Sequence, residues 1–139
     1  MFKHLLMPTD GSDASARALA KGAELARSLG AAVTLVSAVE PNAYRFEDLA
    51  GQQAARDAAQ FWLNAASAIV RPFGIEPQQR IEHERSVCQS ILKAAQACGA
   101  DVIVMGTHGA GALERLLVGS QTQKVLAQTP IPVLVLQIG

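Results

Sequence analysis

The chain has 139 residues, half of them hydrophobic and 17% charged, with 12 Lys plus Arg balanced by 12 Asp plus Glu. That length suits one average domain burying about two thirds of its unfolded surface, and that composition excludes intrinsic disorder. Zero net charge supplies no field to draw in nucleic acid or an anionic membrane, so neither is expected as a partner and any anion site must be local.

The start, Met1 to Met7, has a charge and some apolar residues but reaches Pro8-Thr9-Asp10 too soon for a signal-peptide core. The longest apolar runs, such as Val102-Ile103-Val104-Met105, fall far short of the roughly 20 residues that cross a bilayer. A cytoplasmic location is the expectation.

Phe2 to Met7 reads as a strand, ending in the turn Pro8-Thr9-Asp10-Gly11-Ser12, where Ser12 or Asp10 can cap the helix that follows. That helix runs to Leu29, with Gly30 as its stop. Ala16, Leu19, Ala20, Ala23, Ala26 and Leu29 recur every three or four residues and form its packed face. The second strand, Val33 to Val39, is almost continuously apolar or small, as a strand covered on both sides should be, and Pro41-Asn42 breaks it.

After a loop near Tyr44, Glu47 to Val70 reads as a long helix carrying Phe61, Trp62, Leu63 and Ile69, stopped by Pro72-Phe73-Gly74. Gln79 to Glu84 is a polar strand suited to a sheet edge. Val87 to Cys98 is a third helix, closed by Gly99, and Val102 to Met105 the fourth strand. A fourth helix spans Ser120 to Gln128, and Pro130 and Pro132 precede a last strand, Val133 to Ile138. Five strands alternating with four helices predict βαβ units, a parallel sheet and one domain over residues 1–139.

Cys88 and Cys98 lie in one predicted helix, about 15 Å apart at the helical rise, beyond disulfide reach. They read as buried or half-buried thiols. His4 and His83 read as strand residues, and no His, Cys or Asp spacing suggests a metal cage.

The segment from Gly106 to Ser120 carries the chemistry. A strand ends in glycines at 106, 109 and 111, and Gly119-Ser120 opens a helix. Glycines let backbone approach a ligand, and free N–H groups at a helix N-terminus face anions, so the segment suits a phosphate cradle. It is neither a P-loop, since no lysine follows Gly119, nor the order G-x-G-x-x-G. From these residues alone a ligand loop and an ordinary strand-to-helix connection both stay open. Asp10 and Ser12 equally suit a cap without ligand, and Thr107 and His108 a solvated loop tip.

Gly106, Gly109, Gly119 and Ser120 fit the spacing G-x2-G-x9-G-[S/T] of the ATP-binding branch of the universal stress protein family. Pro8 to Ser12 resembles that family's first-strand turn, and Pro130 to Val135 is similar to its last strand. The resemblance implies an open doubly wound five-stranded α/β sheet of order 3-2-1-4-5, Rossmann-like, with helices on both faces. It implies ATP or another adenine nucleotide, with Mg2+, in the crevice between the first and fourth strands. Asp10 would hold the ribose with backbone at Gly106, and backbone near Ala38 would meet adenine. Gly109, Gly119, Ser120, Gln121 and Thr122 would line the phosphates, with Pro8, Thr107 and His108 completing the candidate set. The family's last strand pairs with its twin, so a homodimer through Val133 to Ile138 is expected.

One departure stands out: Glu84-Arg85-Ser86-Val87 occupies the place of a Gly-x-Pro turn in many members, leaving Arg85 to reach a phosphate or to block part of the crevice. Three functions follow from the sequence. The first is a nucleotide-binding regulatory or protective protein of the stress response, without catalytic residues. The second is a slow ATPase or phosphotransferase, for which Asp10, Arg115 and Lys124 are the nearby candidates. The third is a chaperone-like interaction dimer without nucleotide.

Overall fold

The structure, a computed structural model, describes residues 1–39, 48–107 and 120–137. It contains the strands β1 (His4–Pro8), β2 (Ala32–Ala38), β3 (Gln78–Glu82), β4 (Val102–Gly106) and β5 (Val133–Leu136). The helices between them are α1 (Asp13–Leu29), α2 (Leu49–Val70), α3 (Val87–Cys98) and α4 (Ser120–Gln128), with a 3-10 turn, Arg71–Phe73, after α2. Described ends fall within two residues of the sequence-based boundaries. The predicted break at Pro41-Asn42, the loop near Tyr44, and His108, Gly109, Arg115, Gly119 and Ile138 lie outside the described residues.

All strand pairs are parallel, in the order β3-β2-β1-β4-β5. This is the expected open, doubly wound α/β sheet. Alternation along each strand sends side chains to opposite faces. Leu5 and Met7 of β1 join Leu19 and Ala23 of α1 and Leu63 and Ala66 of α2 on one face. Leu6 joins Ile91 and Ala94 of α3 and Val125 of α4 on the other. The polar β3 lies at one edge and β5 at the other, as their sequences predict.

Two details differ from the periodicity. On α1, Ala16 and Ala20 are only half-buried, whereas Ala18 and Gly22 are buried. The helix approaches the sheet along Gly22, where a β-carbon would overlap Met7 Sδ, so the absence of a side chain sets the line of contact. On α2, Phe61 is 71% exposed while Leu63 is fully buried. At about 100° per residue, Phe61, Trp62 and Leu63 cannot share one face.

Local punctuation explains the helix ends. Gly30 closes α1 at φ 65°, donating its N–H back to the last turn. At the same end of the sheet, Asp101 anchors the chain before β1, its carboxylate accepting the N–H groups of Lys3 at 2.8 Å and His4 at 3.1 Å. Those main-chain bonds, Lys3 first, hold the Asp101 carboxyl below its ordinary value against the cost of desolvation. Cys88 is buried and Cys98 half-buried, and both are free. No described helix is long and apolar enough to cross a membrane.

Candidate functional site

From β1 the sheet grows through β2 to β3 on one side, then crosses to β4 and β5 on the other. The C-terminal ends of β1 and β4 therefore diverge at the switch point, where open α/β sheets form a crevice. A cavity of about 190 Å³ lies there.

The turn after β1 builds its polar side. Ser12 Oγ accepts the N–H of Ser15 at 3.1 Å, making Ser12 the cap of α1. Asp10 does not cap the helix. Its Oδ1 accepts the Ser12 N–H at 2.9 Å, fastening the turn. Thr9 Oγ1 lies 3.3 Å from Ser15 Oγ and accepts the Gly11 N–H at 3.3 Å. Partial burial raises the Asp10 carboxyl, but hydrogen bonds from Ser12, side chain and main chain, and from the Ser15 hydroxyl outweigh it. Asp10 is thus held below its ordinary value and is ionised at neutral pH.

The end of β4 and the start of α4 build the opposite side. Thr107 donates its N–H to the Leu136 carbonyl oxygen at 3.0 Å, extending the ladder past β4. Thr122 Oγ1 donates to the Gly106 carbonyl oxygen at 3.4 Å. Gln121 lines the cavity, and its Oε1 is buried with no hydrogen-bond partner among the described residues. An acceptor buried without a donor costs about 1–3 kcal/mol, so this carbonyl suits a ligand that brings one.

The remaining walls are apolar: Val36 and Ala38 from β2, Val87 and Ile91 from α3, and Met105 from β4. The α3 wall is set by the segment that departs from Gly-x-Pro. Ser86 Oγ accepts the Gln89 N–H at 3.1 Å as the α3 cap, and Glu84 pairs with Lys93 at 2.6 Å. Arg85 is exposed and does not line the cavity, so it does not block it.

A profile of the universal stress protein family matches residues 1–137. The chain belongs to the universal stress protein family. It is 36% identical to a universal stress protein of Thermus aquaticus over 141 aligned positions, covering 99% of this chain and 100% of the relative. A family member from Burkholderia pseudomallei superposes with a TM-score of 0.78 at 26% identity, over 96% of this chain and 95% of that one. A universal stress protein from Archaeoglobus fulgidus, solved in complex with dAMP, shares the fold at a TM-score of 0.67 and 23% identity, over 97% of each chain.

Of the residues singled out from the sequence, Pro8, Asp10, Ala38, Gly106, Thr107, Gln121 and Thr122 line this one cavity. Ser120 is exposed at the first position of α4 and is not in the lining. His108, Gly109 and Gly119 fall outside the described residues. Among the lining residues that sequence reasoning missed are Ser15, Val36, Val87, Ile91 and Met105. Val36 carried a usable signal, since it lies two positions before Ala38 on the same strand and so shares its face. Val87 and Ile91 share a face of α3, but nothing local points that face at β1.

Proposed function

We propose that this universal stress protein binds ATP or another adenine nucleotide in the β1–β4 crevice and acts as a regulatory or protective nucleotide-binding protein in the stress response. The observation that carries this reading is the pairing, in one cavity, of the ionised Asp10 and the Gln121 carbonyl, which has no partner among the described residues, with an apolar wall of Val36, Ala38, Val87, Ile91 and Met105. Such a site offers acceptors to ribose hydroxyls or an exocyclic amine and a dry surface to a base. The dAMP bound to the relative from Archaeoglobus fulgidus supports the ligand class.

Electrostatics favours one orientation. The first turn of α1 carries Asp13, whereas that of α4 carries no acidic residue. Phosphates therefore belong at α4, with Ser120 and Thr122 hydroxyls and main-chain N–H groups, and the ribose at Asp10. A helix N-terminus stabilises an anion by only about 0.3 to 2 kcal/mol, while micromolar affinity needs about 8. The cradle at Gly109, Gly119 and Ser120, base burial and Asp10 supply the rest in this reading.

Mg2+ would ride chiefly on the phosphates, because Asp10 is the one carboxylate lining the cavity among the described residues. A carboxyl held below its ordinary pKa is a poor proton acceptor, so binding rather than turnover is favoured, and any hydrolysis should be slow. The edge position of β5, with Leu134 36% exposed, supports a homodimer through that strand. Light scattering on the purified protein should give twice the chain mass, and a monomer at micromolar concentration would remove that part of the reading. The function itself is tested by denaturing the purified protein and identifying any released small molecule. An adenine nucleotide is expected, and a different ligand class stoichiometric with the protein would refute it.

A further inference from the structure

Thr9, Asp10 and Ser12 line the cavity, but Gly11 between them does not. Its backbone turns at φ 80° and backs onto Trp62, the sole tryptophan of the chain, which projects from α2. The pyrrole edge of the indole, Cδ1 and Nε1, occupies the space a β-carbon on residue 11 would fill. Trp62 is half-buried, with exposed Phe61 before it and buried Leu63 after it.

We propose that Trp62 is the positioning residue of the nucleotide site, holding the Thr9-Asp10-Gly11-Ser12 turn from behind so that Asp10 meets the ribose. The inference rests on the reading that the crevice takes an adenine nucleotide. The turn needs such a support. Glycine gives it many accessible conformations, and the Gly11 N–H bond to Thr9 Oγ1 is long at 3.3 Å and easily exchanged for water. A flat ring with few torsions excludes both water and alternative turns at little entropic cost. Binding then spends less on ordering Asp10. The same contact explains why residue 11 has no side chain, since alanine there must both evict the indole and adopt a positive φ.

The test compares ATP affinity of the wild type, Trp62→Phe, Trp62→Leu and Trp62→Ala by calorimetry, with hydrogen exchange at Gly11 and Ser12 read by NMR. Trp62→Ala and Trp62→Leu should each bind roughly tenfold more weakly, while Trp62→Phe, which keeps a flat ring, should stay within about threefold of wild type. Trp62→Leu keeps apolar bulk on α2 and carries the comparison if the alanine variant does not fold. Exchange should quicken at Gly11 and Ser12 in the leucine variant and not along α1 as a whole, which a general loss of packing would produce. In the wild type, Trp62 fluorescence should change on ATP addition. Equal affinity of the leucine variant and wild type would overturn the positioning role and leave nucleotide binding intact. A wild type that binds no adenine nucleotide would overturn both.

Discussion

Thr122 Oγ1 donates to the carbonyl oxygen of Gly106 at 3.4 Å, tying the first turn of α4 to the end of β4 on the floor of the crevice. Thr122 is 3% exposed, so removing its hydroxyl without changing its shape leaves that carbonyl short of a donor. Thr122→Val should cost about 1 kcal/mol in urea unfolding and weaken ATP binding several-fold, while Thr122→Ser should stay close to wild type in both. A valine variant indistinguishable from wild type in both measurements would remove Thr122 from the site.

The Asp10 carboxyl sits below its ordinary value of 3.8 in the folded protein. A group depressed on folding contributes stability that is fully present above its unfolded pKa and is lost as pH falls through the folded one. The contribution of Asp10 should therefore be intact at pH 5 to 7 and fade below about pH 4. Asp101, lowered in the same direction by Lys3 and His4, adds to the same acid limb. Unfolding curves between pH 7 and pH 2.5 should show a shallower acid loss for Asp10→Asn than for wild type, with the Asp101 part remaining. Superimposable acid limbs would contradict the depressed pKa of Asp10.

Ser37 and Thr34 make a sharper contrast, because both are buried hydroxyls of β2 and only one is paired among the described residues. Thr34 Oγ1 lies 2.7 Å from His4 Nε2, whereas Ser37 Oγ has no partner among the described residues. Thr34→Val should destabilise by about 1 kcal/mol, and Ser37→Ala should be neutral or stabilising by up to about 1 kcal/mol. Equal losses in a denaturant titration would show that Ser37 is satisfied in solution.

What the sequence revealed and what it hid divide along physical lines. The end of α3 was legible because Gly99 acts locally as its stop, whereas the Ser86 cap at its start emerged only from the structure. The parallel sheet was legible because apolar runs alternate with helical periodicity, and the strand order came with the family resemblance. The turn at Asp10 was found, but not its division of labour, since Ser12 and Asp10 offer the same oxygen chemistry and only the backbone path decides which caps α1. The apolar wall from Val87 and Ile91 and the contact of Trp62 with Gly11 depend on how α3 and α2 dock on the sheet. No local period encodes such a docking. Phe61 shows the converse, an aromatic residue whose apolar character suggests burial while its position about 200° around α2 from Leu63 turns it to solvent.

Calorimetric titration of the purified chain with ATP in the presence of Mg2+, with Asp10→Ala titrated alongside, tests the central claim most directly. Saturable binding at one site per chain is expected, with a dissociation constant on the order of micromolar, weakened roughly tenfold or more by Asp10→Ala. No saturable heat at millimolar ATP for a protein shown to be folded and ligand-free, or equal binding by the Asp10→Ala variant, would contradict it.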